Sequence, residues 1–148
     1  MNKIPVFFSR QNFYYDNSGK SPAFFLKKDN IKIDQKFYKN LIRFSKINKN
    51  VNCRVCMHKT KKASMHSMIV LINSNNEFKI HKHSKTSEIY QLIEGSIKIN
   101  LFKNNKKIKS VIMKKKGEIF SVLKNQLHIV VPVSNIAIFH ETKLNEYK

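Results

Sequence analysis

Glycine is scarce in this chain: only Gly19, Gly95 and Gly117 occur in 148 residues. That scarcity excludes a glycine-rich phosphate loop, and the absence of a Gly-x-Ser-x-Gly stretch excludes a serine-nucleophile elbow. Cysteine is confined to Cys53 and Cys56. A zinc ribbon needs a second Cys-x-x-Cys pair. The surrounding Val51–His58 reads as a strand, which sends the two thiols to opposite faces, so reduced structural thiols are expected. No apolar run approaches the ~20 residues that span a bilayer. The N-terminal Met1-Asn-Lys-Ile-Pro5 lacks the charged, apolar and small-residue regions of a secretory leader, and a cytoplasmic protein is the expectation.

Acidic residues are also few, 9 against 29 basic ones, for a formal charge of +20. Arginine occurs only at Arg10, Arg43 and Arg54, and lysine is spread along the whole chain. Groove readers and phosphate clamps favour arginine for its bidentate fork, so nucleic acid is disfavoured as a partner. Lysine, asparagine and isoleucine together match the codon bias of an AT-rich genome. The functional alternative is a positive field that concentrates a small anionic or carbohydrate substrate.

Residues 1–30 carry the breakers Pro5, Gly19 and Pro22 amid the aromatics Phe7, Phe8, Phe13, Tyr14, Tyr15, Phe24 and Phe25. They are expected to form an irregular segment that packs its rings on the rest of the chain or on a second subunit. Residues 31–148 form the expected domain. It opens with a helix from Asp34, a plausible N-cap, to about Lys46, with Phe37, Tyr38, Leu41 and Ile42 as its apolar stripe. Then the period becomes strand-like: Val51–His58, Met68–Ile72, Phe78–His83, Ile89–Ile93, Ile97–Phe102, Lys107–Met113, Glu118–Val122, His128–Val133 and Ile136–His140. Short strands divided by turn residues predict a mainly β fold, an antiparallel sandwich or barrel, with one N-terminal helix.

The most informative pattern is His81-x-His83, then Glu88, then Gly95, and far downstream His128. Two-residue spacing puts both imidazoles on one face of a strand, with Lys82 pointing away. Ser84–Ser87 turns the chain so that Glu88 starts the adjacent strand. Three imidazoles and a carboxylate suit one divalent ion of Fe, Mn, Zn, Ni or Co, and four ligands leave octahedral positions open for water or substrate. Glu88 could instead contact substrate or handle a proton, with three histidines on the metal. Arg54 and His58 share a strand face and are candidate catalytic residues, for binding an anionic or hydroxylated substrate and moving a proton. Tyr90 is a pocket wall or a core residue. His140 and Glu141 leave opposite faces, so at most one faces the metal.

The His81/His83/Glu88/Gly95 spacing resembles the first motif of the cupins, small β-barrels of jelly-roll type with a metal inside. The segment from Gly117 to His128 is similar to the second motif, with Leu123, Asn125 and Pro132 departing from its usual proline, glycine and asparagine. Asn75 stands where the first motif normally has glycine. Asparagine tolerates a positive φ, so the turn at Asn125 can survive. The helix, Arg43, Arg54-Val-Cys-Met-His58 and Phe139-His-Glu141 further resemble the WbuC-type cupin metalloproteins, which occur with genes for bacterial surface-polysaccharide assembly. The resemblance implies a jelly-roll barrel with metal ligands His81, His83, Glu88 and His128. It also implies a homodimer, and action on a sugar or nucleotide-sugar in O-antigen or lipopolysaccharide synthesis by isomerase- or epimerase-like proton transfer. The alternative is a non-catalytic carbohydrate-binding or regulatory module.

Overall fold

A computed structural model describes residues 11–146. Phe7, Phe8 and Arg10 lie outside the described residues. The elements run β1 (Phe13–Asp16), β2 (Ala23–Leu26), α1 (Gln35–Ile47), β3 (Cys53–Cys56), β4 (Met65–Asn73), β5 (Glu88–Glu94), β6 (Ile97–Lys103), β7 (Lys106–Met113), β8 (Ile119–Val122), β9 (Leu127–Pro132) and β10 (Ile136–Leu144). They make a seven-stranded sheet in the order β1-β2-β3-β4-β10-β5-β8 and a three-stranded sheet in the order β7-β6-β9. All pairings are antiparallel except β2 with β3. Among the described residues no helix is long and apolar enough to cross a membrane.

Period-2 alternation divides the larger sheet into two chemically distinct faces. Phe24, Cys53, Val55, Ile69, Leu71 and Ile138 point outward into a cluster with Leu41 and Phe44 of α1. The helix forms because Asp34 caps it, its carboxylate accepting the Phe37 N–H at 3.0 Å, and it is held by the burial of Leu41 and Phe44. The intervening residues point inward. Ile72, Tyr90, Leu92, Ala137 and Phe139 meet Ile97, Ile99 and Met113 of the smaller sheet. Towards β2 and β3 the inner face carries Phe25, Cys56 and Met68 instead. Cys53 and Cys56 thus fall on opposite faces, both buried and free.

Residues 11–30, expected to be irregular, are not wholly so. Two short strands form there, because Phe13 and Phe24 can bury under α1 only if their backbone joins the sheet edge, and β2 does so in parallel with β3. Phe78–His83 departs in the other direction: it is not a regular strand, and its only bridge joins His81 to His128 through N–H···O bonds of 2.9 Å each way. That bridge, with Asn125 N–H donating to His83 C=O at 2.7 Å, sets the histidine segment beside β9. Hydrogen bonding does not close the two sheets into a barrel; they face each other as separate layers.

Two turn positions carry the backbone demands expected of them. Asn125 takes φ +64°, the left-handed value that its glycine-like place requires. Gly95 has φ +74°, and a Cβ there would stand 2.3 Å from the Ile136 carbonyl oxygen. Gly95→Ala is therefore expected to lose at least about 1–2 kcal/mol from the left-handed backbone alone, read as a lower urea midpoint at unchanged slope. The thiols supply a second check. Burial pushes the Cys56 thiol up to about 11, against the pull of nearby Arg54, and pushes Cys53 higher still. Neither should react with iodoacetamide in the folded protein, and both should label in denaturant.

Candidate metal centre and its cavity

Glu88 begins β5 with its side chain inward, 1 % exposed. Its partners come from four segments. Its Oε1 accepts from Lys143 Nζ on β10 at 2.8 Å and from His83 Nε2 at 2.9 Å. Its Oε2 lies 2.9 Å from His128 Nε2 on β9 and accepts from the Tyr90 hydroxyl of its own strand. Burial alone would raise the pKa of this carboxyl, but the neighbouring His128, His83 and Lys143 side chains hold it well below the usual carboxylate range. Lys143 stands between two carboxylates, with Glu141 Oε1 at 3.4 Å. Burial opposes its charge, and Glu141 and Glu88 overcome that, so the ammonium is favoured. Glu141 itself is pushed up by burial and then by the neighbouring Glu88.

The imidazoles are oriented by their second nitrogens. His81 Nδ1 lies 3.1 Å from Lys79 C=O and His128 Nδ1 lies 2.9 Å from Gln126 C=O. A carbonyl only accepts, so these nitrogens carry the protons, and in the neutral ring each Nε2 is left with a lone pair. This is the arrangement of metal-binding histidines, whose outer nitrogen donates to a carbonyl or carboxylate. The Nε2 of His128 then faces a carboxylate oxygen at 2.9 Å. The Tyr90 hydroxyl, 3.1 Å from the same nitrogen, donates to Glu88 Oε2 and has one proton for the two acceptors; a metal cation would satisfy both. The donor atoms of His81, Glu88 and His128 all lie within 4.8 Å of one another, with Glu88 and His128 buried and His81 exposed. Charge supports the same conclusion: in a chain of charge +20, three of its nine acidic residues, Glu88, Glu141 and Glu146, gather here. The donor set fits a divalent ion of the first transition row.

His83 is placed differently. Its Nδ1 donates to Glu146 at 2.8 Å and its Nε2 to Glu88 at 2.9 Å, and these two acceptors hold its pKa above the usual value. It meets the triad through the Oε1 of Glu88. Arg54 and His58 stand apart, in the wall of a cavity of about 580 Å³ that also reaches His83, Glu141 and Lys143. Arg54 donates to Ser21 Oγ at 3.0 Å. The Nδ1 of His58 is 2.9 Å from Thr60 C=O, its ring stacks on His66 at 4.6 Å, and its Nε2 is buried without a partner. Burial, chiefly, keeps this imidazole neutral. His140 faces away, its Nε2 2.7 Å from Ser67 Oγ, and Glu141 faces in. Of the two roles expected for Tyr90 the structure shows the core one, and its hydroxyl donates to Glu88.

Sequence reasoning missed Lys143 and Glu146. The polar run after His140 reads as a tail, but β10 continues to Leu144 because both β4 and β5 flank it. The available signal was Glu141-x-Lys143, opposite charges at strand spacing.

The fold is that of the cupins, and the site within it is a candidate cation centre. The chain belongs to the family described as "Domain of unknown function (DUF6016)", whose model matches residues 33–114. That span holds His81, His83 and Glu88 and ends before His128. No curated protein matches the chain. Among solved structures it is similar to hydroxypropylphosphonic acid epoxidase from S. wedmorenis (18 % identity, TM-score 0.50, 59 % of this chain and 47 % of that one). It is also similar to BH2720 from Bacillus halodurans (8 %, TM-score 0.50, 55 % and 62 %). A third is an RmlC-like cupin family protein with a double-stranded β-helix fold from Methanocaldococcus jannaschii (17 %, TM-score 0.46, 55 % and 71 %). The match thus spans about half of the epoxidase.

Glu88→Gln removes the buried negative charge that Lys143 and His83 share. It should destabilise the protein by about 3–5 kcal/mol, the loss typical of breaking a buried ion pair. Urea unfolding measures this, and a loss below about 1 kcal/mol would contradict the central placing of this carboxylate.

Proposed function

We propose that this chain is a metal-dependent cupin of WbuC type, with a jelly-roll barrel, that acts on a sugar or nucleotide-sugar in bacterial surface-polysaccharide synthesis. The observation that carries the metal half is the convergence of one donor atom each from His81, Glu88 and His128, all within 4.8 Å of one another. HppE, which shares the fold, has been solved as Fe(II) and Co(II) forms, and that chemistry is compatible with this donor set. His83 completes the ligands if its Nε2 gives up its proton, with Glu146 steadying the other nitrogen. The metal would supply Lewis-acid polarisation of a carbonyl or hydroxyl oxygen.

The chain's own groups do the rest. Lys143, at the boundary between triad and cavity, holds or moves a proton beside the substrate. Tyr90 keeps the Glu88 carboxylate aimed. Arg54 and His58 bind the part of the substrate that extends into the cavity. Such a set suits isomerase- or epimerase-like proton transfer. The binding-module alternative draws on one observation: Lys143 already neutralises Glu88, which leaves a charge-balanced cavity able to hold a carbohydrate without reaction.

Elemental analysis tests the metal half. Wild-type protein should carry about one divalent ion per chain, and His81→Ala and His128→Ala should each lower the affinity by a factor of ten to a hundred or more. Full retention in both variants would remove the premise. Turnover of a nucleotide-sugar by metal-loaded protein favours the enzyme, and binding without turnover favours the module.

A further inference from the structure

The smaller sheet meets the larger one through Ile97, Ile99 and Met113, and alternate residues of its strands point the other way. On that outer face Lys98 of the central strand stands between Ile112 and Val131, and Phe102 stands between Lys107 and Leu127. None of these six side chains belongs to a buried cluster. The helix that covers the larger sheet has no counterpart here: α1 is the one helix among the described residues, and it packs on the other layer. Ile112 is 48 % exposed, and Ile108, beside the bulge of the same edge strand, is 57 % exposed.

Charge falls on this layer with one sign. From Gly95 to His140 the chain holds nine lysines, no arginine and one acidic residue, Glu118. Glu118 accepts from the backbone N–H groups of Lys114 and Lys115. Among the described residues none of the nine ammonium groups forms a salt bridge. Lysines on an edge strand hinder strand addition. That accounts for those of β7 but not for Lys98 on the central strand.

Exposed apolar and cationic groups interleaved on one face match a surface that is apolar beneath and negative at its rim. A second copy does not match: face to face, Lys98 and Lys107 would meet equal charges with no carboxylate to receive them. Nucleic acid is held by arginine forks and stacked rings, and this face has no arginine and one ring, Phe102. We infer that the outer face of the smaller sheet docks on an anionic lipid bilayer, with its lysines at the headgroup phosphates and Phe102 and Ile112 at the acyl boundary. His128 leaves β9 on the opposite face, beside Leu101 of the inner layer, so docking does not cover the candidate metal centre.

Sedimentation of the full chain with lipid vesicles tests this at about 0.1 M salt. Vesicles of phosphatidylglycerol and phosphatidylcholine in equal parts should bind at least about tenfold more tightly than phosphatidylcholine alone. Lys98→Gln combined with Lys107→Gln should weaken that binding about 25-fold, at about fivefold per lysine. Lys36→Gln combined with Lys39→Gln removes the same charge from α1 and should weaken it less than about threefold. Ile112→Asn, at unchanged charge, should weaken it about threefold or more. No binding to the anionic vesicles, equal binding to both compositions, or equal losses in the two lysine pairs would each overturn the inference. So would self-association without lipid that the Lys98/Lys107 variant abolishes, which would assign the face to a second copy. A single-stranded oligonucleotide bound more tightly than the vesicles, and lost in that variant, would assign it to nucleic acid instead. The wild-type lipid comparison stands even if a variant does not fold.

Discussion

One buried carboxylate ties the molecule together. Glu88 is 1 % exposed, and an ion so far from water is tolerated only when its lone pairs are met. Its partners arrive from the His81–His83 segment, β9, β10 and β5. The charge therefore fixes the two sheets relative to each other at a place where their backbones do not pair. The same constraint makes chemistry available. Imidazoles held by backbone carbonyls are fixed in orientation, which keeps donor atoms of His81 and His128 within 4.8 Å of the carboxylate.

The larger sheet divides its labour by face. Outward residues are apolar and covered by α1, which is a stability function. Inward residues change character across the sheet, from the apolar layer against the smaller sheet to the polar row through Lys143, His66 and His58. Period-2 geometry lets single strands serve both purposes: in β10, Ile138 packs under the helix, and Glu141 and Lys143 line the cavity. The overall charge of +20 belongs to the surface. Towards the centre the acidic Glu88, Glu141 and Glu146 gather around Lys143 and His83.

Much of this was legible in the chain. Asp34 and the apolar stripe after it locate the helix, because capping and 3.6-residue periodicity are local. The convergence of His81, Glu88 and His128 was legible because strand spacing and turn residues limit where the side chains can go. Asn125 was readable as a left-handed turn for the same reason. What could not be read depends on pairing between distant segments. Strands β1 and β2 form only because the sheet edge and helix are there to receive Phe13 and Phe24. Residues 78–80 stay unpaired although their pattern suits a strand. Lys143 entered the site because β10 is flanked on both sides, which no local property of Thr142-Lys-Leu-Asn-Glu146 announces. For His83, spacing showed its approach to Glu88 but not its second contact with Glu146.

X-ray absorption of the protein loaded with one equivalent of Co(II) or Zn(II) bears most directly on the convergence of His81, Glu88 and His128. The account requires nitrogen and oxygen donors at about 2.0–2.2 Å with the outer-shell scattering of at least two imidazoles. A shell of water oxygens without imidazole scattering, or sulfur at about 2.3 Å, would contradict it.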